Sequence, residues 1–398
     1  MNPTTQTGMT LVEIMVALTL GLILLLGVVA VFESQTRTNS ATTAQSAIQD
    51  EENAIAALVV PTLRDAGFLG CAGFLSSTSD VTAVVPPPLG VPPAAVPPWH
   101  AAVYGYDFTG TAGTGSSYVI AADNAANDGN TGDWVQALDA SFMNPAAVVE
   151  PGSDVVVVLG AARSTFPVTL TASNPFSATV NNLPAVPVSN YPVTPPTQSY
   201  VFPAYGALST CNMAEVFAVD SSPSAPVVNS TSATYSATVK CAASGNGNCA
   251  VIFTTGATQN AQYVPVGQTA FFVGQGSSGE SALMQASLLN PSEAGKTWAV
   301  TPLVPGVEFM QVLYGIGALS QTTGQLMASE YLPASQVPAA SWGSVVSVRL
   351  GFLLEGEPGS APVGQGNTWN VLGTTVTVPQ DTRLRHVFEM TVDLRNAP

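Results

Sequence analysis

A single carboxylate, Glu13, stands at the edge of an almost unbroken apolar run over residues 14–32. An ionisable group inside a membrane span costs about 3 kcal/mol or more, so a carboxylate set at the edge of a roughly 19-residue apolar run needs a purpose. Four cysteines, Cys71, Cys211, Cys241 and Cys249, form the second candidate grouping. In an exported chain they would make two disulfides, with three pairings open to the sequence alone. Cys241 and Cys249 bracket Ala-Ala-Ser-Gly-Asn-Gly-Asn, a turn-forming stretch that lets two strands return to each other. We pair these two, which leaves Cys71 with Cys211. Zinc does not suit the same residues: no C-x-x-C pair exists, and His100 and His386 are distant in sequence. No metal is expected.

Other groupings are weaker. Gly274-Gln275-Gly276-Ser277-Ser278-Gly279 has the G-x-G-x-x-G spacing after a strand-like 270–273. A dinucleotide site would also need a parallel βαβ array; residues 282–289 could be helical, but no array surrounds them, and a hairpin loop is the better reading. The oxygens of Asp123, Asn124, Asn127, Asp128, Asn130 and Asp133 cluster, with Asp139 twelfth counting from Asp128, yet the sixth position of that loop is Asp133 where calcium loops have glycine. A solvated Asn/Asp turn explains it. The two histidines lie in a Pro-rich loop and on an expected strand, without a G-x-S-x-G elbow, and Glu355 and Glu357 are too close on a Gly-Pro turn to divide acid and base roles. The chain is therefore not expected to be an enzyme or to hold a cofactor.

Composition narrows the classes further. The chain has 398 residues, 46% hydrophobic and only 9% charged, so its surface is built from Thr, Ser, Asn, Gln and Gly, a composition suited to an exported protein. The net charge of -16, from 25 acids against 9 bases, opposes direct nucleic-acid binding. Arg383, Arg385, His386 and Arg395 are the one local basic grouping, read as a solvated sheet edge.

The elements that position these residues begin with a helix. After the apolar run, residues 33–52 contain neither Gly nor Pro and continue it. Ile48, Ile55, Leu58, Val59, Leu63 and Ala66 recur at helical spacing and make a stripe for a domain, with Asp50, Glu51 and Glu52 facing away. Pro61 should kink the helix, and Gly67 and Gly70 end it. Residues 76–210 are dense in proline, which favours loop-rich excursions and few strands; 153–160 is one, with an apolar 155–159 suited to burial on both faces. Farther on, Val346, Val348, Leu350, Phe352 and Leu354 alternate with Ser347, Arg349, Gly351, Leu353 and Glu355. Phe388, Met390, Val392 and Leu394 alternate with Glu389, Thr391 and Asp393. These are antiparallel strands burying one face each, and the helical stripe is their natural cover, an α+β arrangement.

The N-terminal stretch Gly8-Met9-Thr10-Leu11-Val12-Glu13 before an apolar helix resembles the signal of type IV prepilins. An ordinary secretory signal would place small residues after its apolar run, not before it. A plain membrane anchor leaves Glu13 unexplained unless its side chain snorkels. The resemblance implies a cut between Gly8 and Met9, methylation of the new N-terminus, and docking of subunits through Glu13. Residues 1–8 carry no Lys or Arg, unlike most such leaders, so charge sets orientation weakly.

Four further stretches sharpen the resemblance. Leu63-Arg64-Asp65-Ala66-Gly67-Phe68-Leu69-Gly70-Cys71, Cys211-Asn212-Met213-Ala214-Glu215-Val216-Phe217, Gly306-Val307-Glu308-Phe309-Met310-Gln311-Val312-Leu313-Tyr314-Gly315 and the closing 383–396 are similar to the minor pilin family PilW. The acidic segment that family carries after Tyr-Gly is replaced here by Ile316-Gly317-Ala318-Leu319-Ser320, so no role of that loop is carried over. The resemblance implies a type IV pilin-like α+β fold: a leader over 1–8, a membrane and assembly helix over 9–32, an amphipathic helix over 33–70, a Pro-rich loop and strand region over 71–210 and an antiparallel sheet region over 211–398. It implies a minor pilin at or near the fibre tip that primes assembly and acts in twitching and adhesion. Its expected partners are prepilin peptidase, the inner membrane, other minor pilins and the major pilin; its expected place is the bacterial inner membrane with a periplasmic domain, then the pilus surface. A type II secretion pseudopilin, or a membrane-anchored periplasmic binding module, would share the anchor.

Overall fold

The computed structural model describes residues 10–70, 81–83, 101–111, 115–120, 131–135, 137–138, 149–161, 165–173, 176–184, 205–209, 214–218, 224–227, 234–240, 261–276, 279–290, 297–319, 326–362 and 367–396. One helix, α1 (Leu11–Arg64), opens the fold. Its 54 residues rise about 80 Å. Thr10 caps it, and Pro61 is accommodated in the last turn, where Asp65 N–H still reaches the Pro61 carbonyl at 3.1 Å. The chain then leaves through Gly67 and Gly70, both at positive φ. Gly67 N–H bonds the Leu159 carbonyl at 2.8 Å, so the helix end is stitched to the sheet.

The stripe on α1 is buried at Ala44, Ile48, Ile55, Val59 and Leu63, and Ala66 continues it just past the helix end. Leu58 is exposed, contrary to the sequence expectation: it lies one residue, about 100° of helix, from Val59. The second correction concerns the acids. Asp50 faces solvent, but Glu51 and Glu52 are partly buried, because they stand three and four residues after Ile48 and so share its face.

Antiparallel sheet forms the head. In the four-stranded sheet the order is Leu326–Leu332, Val307–Leu319, Val345–Glu355, Arg385–Asp393. α1 lies against the Arg385–Asp393 strand and against Thr297–Pro305 of a larger, twelve-stranded sheet among the described residues. One core joins the α1 stripe to both sheets. Arg385–Asp393 keeps the expected alternation. Val345–Glu355 does not: Leu353 is fully buried in a second small core with Phe309, Val371, Val376 and Val378. A three-stranded sheet, Thr368–Val371, Thr374–Thr377 and Ser117–Val119, covers that face.

The Pro-rich region holds more strand than its composition suggested, since Pro-poor intervals such as Phe166–Ser173, Phe176–Pro184 and Tyr205–Ser209 pair within the large sheet. Val155–Ala161 is central there, between Val103–Tyr106 and Gln262–Gln275, and its valines are buried as a both-face strand requires. Gln262–Gln275 and Ser281–Asn290 form a hairpin around the glycine-rich loop, closed by Gly276 N–H to the Glu280 carbonyl at 2.7 Å. Gly276 and Gly279 lie in the connection as the loop reading expects, whereas Gly274 belongs to the strand and pairs with Ala282; residues 282–289 are strand, not helix.

Candidate assembly helix and its docking seam

Glu13 sits in the first turn of α1. Its N–H is received by the Thr10 side chain at 3.3 Å, and Thr10's carbonyl accepts from Glu13 and Ile14. A carboxylate in that turn faces the positive end of the helix dipole. Beyond it every large apolar side chain from Leu11 to Phe32 is exposed. At about 1.5 kcal/mol each, these side chains forgo stabilisation on the order of 20 kcal/mol unless a bilayer or other helices cover them. The span of residues 11–32 rises about 33 Å, close to the roughly 30 Å of hydrocarbon in a bilayer. Nothing lies within 4 Å of a side-chain carbon placed on Gly21 or Gly27, so both leave the helix surface open to close approach by another backbone.

Between this span and the head, the helix is polar and free. Arg37 pairs with Glu33 one turn back, and Thr36, Thr38 and Thr42 return their hydroxyls to the carbonyls four residues before them. Burial begins at Ala44.

At the seam, charge is concentrated. Arg385 is bound in fork geometry by two carboxylates: Glu308 at 2.6 and 2.9 Å, and Asp381 at 2.7 and 2.8 Å. Arg383 meets Glu355 at 3.0 Å, and Glu355 also lies 3.7 Å from Arg385. The expected solvated basic edge is therefore corrected. Arg385 is buried and ringed by acids, because the neighbouring strands bring Glu308 and Glu355 beside it. Its bonds to Glu308 and Asp381 outweigh the burial that disfavours its charge, and Arg385 in turn holds the Asp381 carboxyl below its ordinary range. Glu355 is pushed up to about 9, by burial first and by Glu308 second.

The helix adds its own acids to this ring. Glu52 reaches His386 Nδ1 at 2.7 Å, and the pair is ionic only when the imidazole is protonated. Glu51 is raised to about 7 by burial, then by Glu357 and Glu52. Its Oε2 is buried without a hydrogen-bond partner. Gly306, at φ 76°, makes room: a side chain there would come within 3.2 Å of Glu51 Oε1 and 3.0 Å of the Glu355 carbonyl.

Two more carboxylates tie the head together from inside. Asp154 accepts from Val312 N–H at 2.8 Å, Gln311 Nε2 at 2.6 Å and Phe108 N–H at 3.3 Å. Asp107 accepts from Ala334 and Ser335 N–H at 3.0 and 2.6 Å. Burial raises both, and Asp107 raises Asp154 further. Asp154 ties its segment to the Val307–Leu319 strand, and Asp107 ties its own to the 3-10 turn Ala334–Gln336. No spacing marks them, since most of their donors lie more than 150 positions away in sequence.

Of the residues singled out from sequence, Glu13 is placed on the exposed apolar helix. Gly8, Met9, Cys71, Cys211, Cys241 and Cys249 lie outside the described residues, as do His100 and most of the Asp/Asn cluster. The seam residues Glu51, Glu52, Glu308 and Arg385 were missed as a group. Helical spacing could have flagged the first two; the partnership of Glu308 with Arg385 is a matter of strand order.

Residues 270–396 match the family PilW, Type IV Pilus-assembly protein W. This region carries the four-stranded sheet and the head's side of the seam. A type IV-like pilin from Thermus thermophilus is similar at 19% identity over 33% of this chain and 69% of that one, with a TM-score of 0.20. No curated protein matches the chain.

Proposed function

We propose that the chain is a minor pilin, similar to the PilW family, that is anchored in the bacterial inner membrane and passed into a type IV pilus. The observation that carries this reading is the junction of two things on one helix: an apolar half with no cover of its own, and an amphipathic half fixed to a head whose C-terminal third matches the pilus-assembly family. A membrane-anchored binding module would also use the exposed half, and the match of residues 270–396 to the pilus-assembly family favours the pilin. In this reading prepilin peptidase cuts between Gly8 and Met9, and the helices of neighbouring subunits cover the span. Glu13 then sits in a low-dielectric bundle, where it neutralises a partner's N-terminal amine, an attraction far stronger there than in water. A head-to-tail contact of that kind generates a filament.

The size of the head supports a place at the end of the fibre. Residues 33–398 are more than twice a typical domain of about 150 residues, too bulky to tile around helices packed about 10 Å apart. At a fibre end one face has no neighbour. The chain therefore acts in few copies at or near the tip, with other minor pilins, and primes addition of the major pilin. Mass spectrometry of the protein extracted from membranes and fibres tests the processing step: the N-terminus is expected at Met9 and methylated, and Met1 retained in assembled fibres overturns it. Immunogold labelling of sheared fibres tests the position, with dense labelling along the shaft as the refuting result.

A further inference from the structure

The seam between α1 and the head gathers more acid than base. Glu51 and Glu52 come from the helix. Glu308 and Glu355 come from two strands of the four-stranded sheet, and Glu357 and Asp381 from the turns beside it. Facing them are Arg383, Arg385 and His386. The Arg385 guanidinium is already saturated by Glu308 and Asp381, and Arg383 is spent on Glu355. No described cation faces Glu51, whose Oε2 is buried without a partner beside Gly306.

We propose that this seam is a pH-sensitive latch that holds the C-terminal half of α1 on the head in mild acid and loosens it in mild alkali. Carboxylates this crowded cannot all ionise in a partly dry interface. A proton on Glu51 removes its repulsion with Glu52 on its own helix and with Glu357 across the seam. The elevated value of Glu51, about 7, sets the window. It lies above the ordinary glutamate range, so the docked state binds more protons than the released one, and the stabilisation is full at low pH and lost as pH rises through about 7. Gly306 keeps the space in which the Glu51 carboxylate sits. Release would let the head turn about the polar, unpacked stretch that precedes Ala44 while the apolar half stays in its membrane or bundle. The latch rests on the seam geometry and does not require the pilus reading.

Hydrogen exchange on the full chain in detergent tests it, read by mass spectrometry on peptides from residues 48–63 at pH 5.5 and 8.5 and corrected for intrinsic exchange. Glu51 is half-buried, so a fall in protection of about tenfold is expected over this range. Glu51→Gln should flatten the fall for these peptides and leave the pH response of the Gln262–Gln275 strand as it was. Glu357→Gln, at an exposed position, should raise helix protection at pH 8.5 without endangering the fold. Equal protection of the wild-type helix at both pH values, an undiminished fall in Glu51→Gln, or no gain in Glu357→Gln would each overturn the latch.

Discussion

Replacing Arg385 with Met keeps most of the side chain's length and removes its charge. The side chain is only 5% exposed, and its partners Glu308 and Glu355 are 8% and 12% exposed, so neither acid can turn to water. Asp381, at 32%, can resolvate and contributes little to the loss. Stranding a buried carboxylate costs about 3–5 kcal/mol, and Glu308 is the acid left without its cation, since Glu355 keeps Arg383 at 3.0 Å. For a head this large, about 1–2 °C is lost per kcal/mol, so the unfolding midpoint of the full chain in detergent should fall by about 4–8 °C at pH 7.5. The penalty should shrink at pH 5, where protonation can neutralise the stranded acid. Glu308→Gln should cost less, because Arg385 keeps Asp381 and Glu355 while the repulsion between Glu308 and Glu355 is gone. Tryptophan fluorescence against temperature at the two pH values measures all three effects. A midpoint for Arg385→Met within 1 °C of wild type, or a penalty that grows in acid, would refute the view of Arg385 as the counter-charge of a dry carboxylate pair.

Three further outcomes are expected. Gly105→Ala should destabilise the head by about 1–3 kcal/mol or more in urea titration: the new methyl would stand 1.8 Å from Tyr314 Oη and 2.9 Å from the Val155 carbonyl, and Trp342, 4.8 Å from the Tyr314 ring, blocks its retreat. Glu13→Ala should leave the thermal midpoint of the head unchanged, since the Glu13 side chain makes no hydrogen bond among the described residues, yet deplete the protein from sheared fibres; normal incorporation would remove the assembly role of that carboxylate. Peptide mapping without reduction should find Cys241 joined to Cys249, because a short loop closes at low entropic cost, and a Cys71 to Cys241 peptide would exclude that pairing.

What the linear pattern revealed and what it hid follow one physical division. The helix was legible because its reasons are local: apolar run, uninterrupted polar continuation, stripe at 3.6-residue spacing, and glycines at the end. Glu51 and Glu52 obey the same spacing, because register with Ile48 and not their charge sets the face they take. Strands with strict alternation, such as Arg385–Asp393, were legible for the same reason, and so was the both-face burial of Val155–Ala161. Pro-rich stretches concealed strands because a strand tolerates a proline near its end, as at Pro167 and Pro184, and the partner that stabilises it lies elsewhere in the chain.

By itself the sequence determined that an apolar helix with one carboxylate leads into an acidic, weakly charged, strand-rich head, since composition and short-range periodicity act on residues within a few positions of one another. Which charges meet was decided only by the tertiary structure. Arg385 is a surface base by composition and a buried hub in the fold, because strand order sets Glu308 and Glu355 beside it and the turn before it adds Asp381. Asp107 and Asp154 became internal ties for the same reason. A buried carboxylate is stabilised by whatever amides and cations topology brings within about 3 Å, and topology is a property of the whole chain.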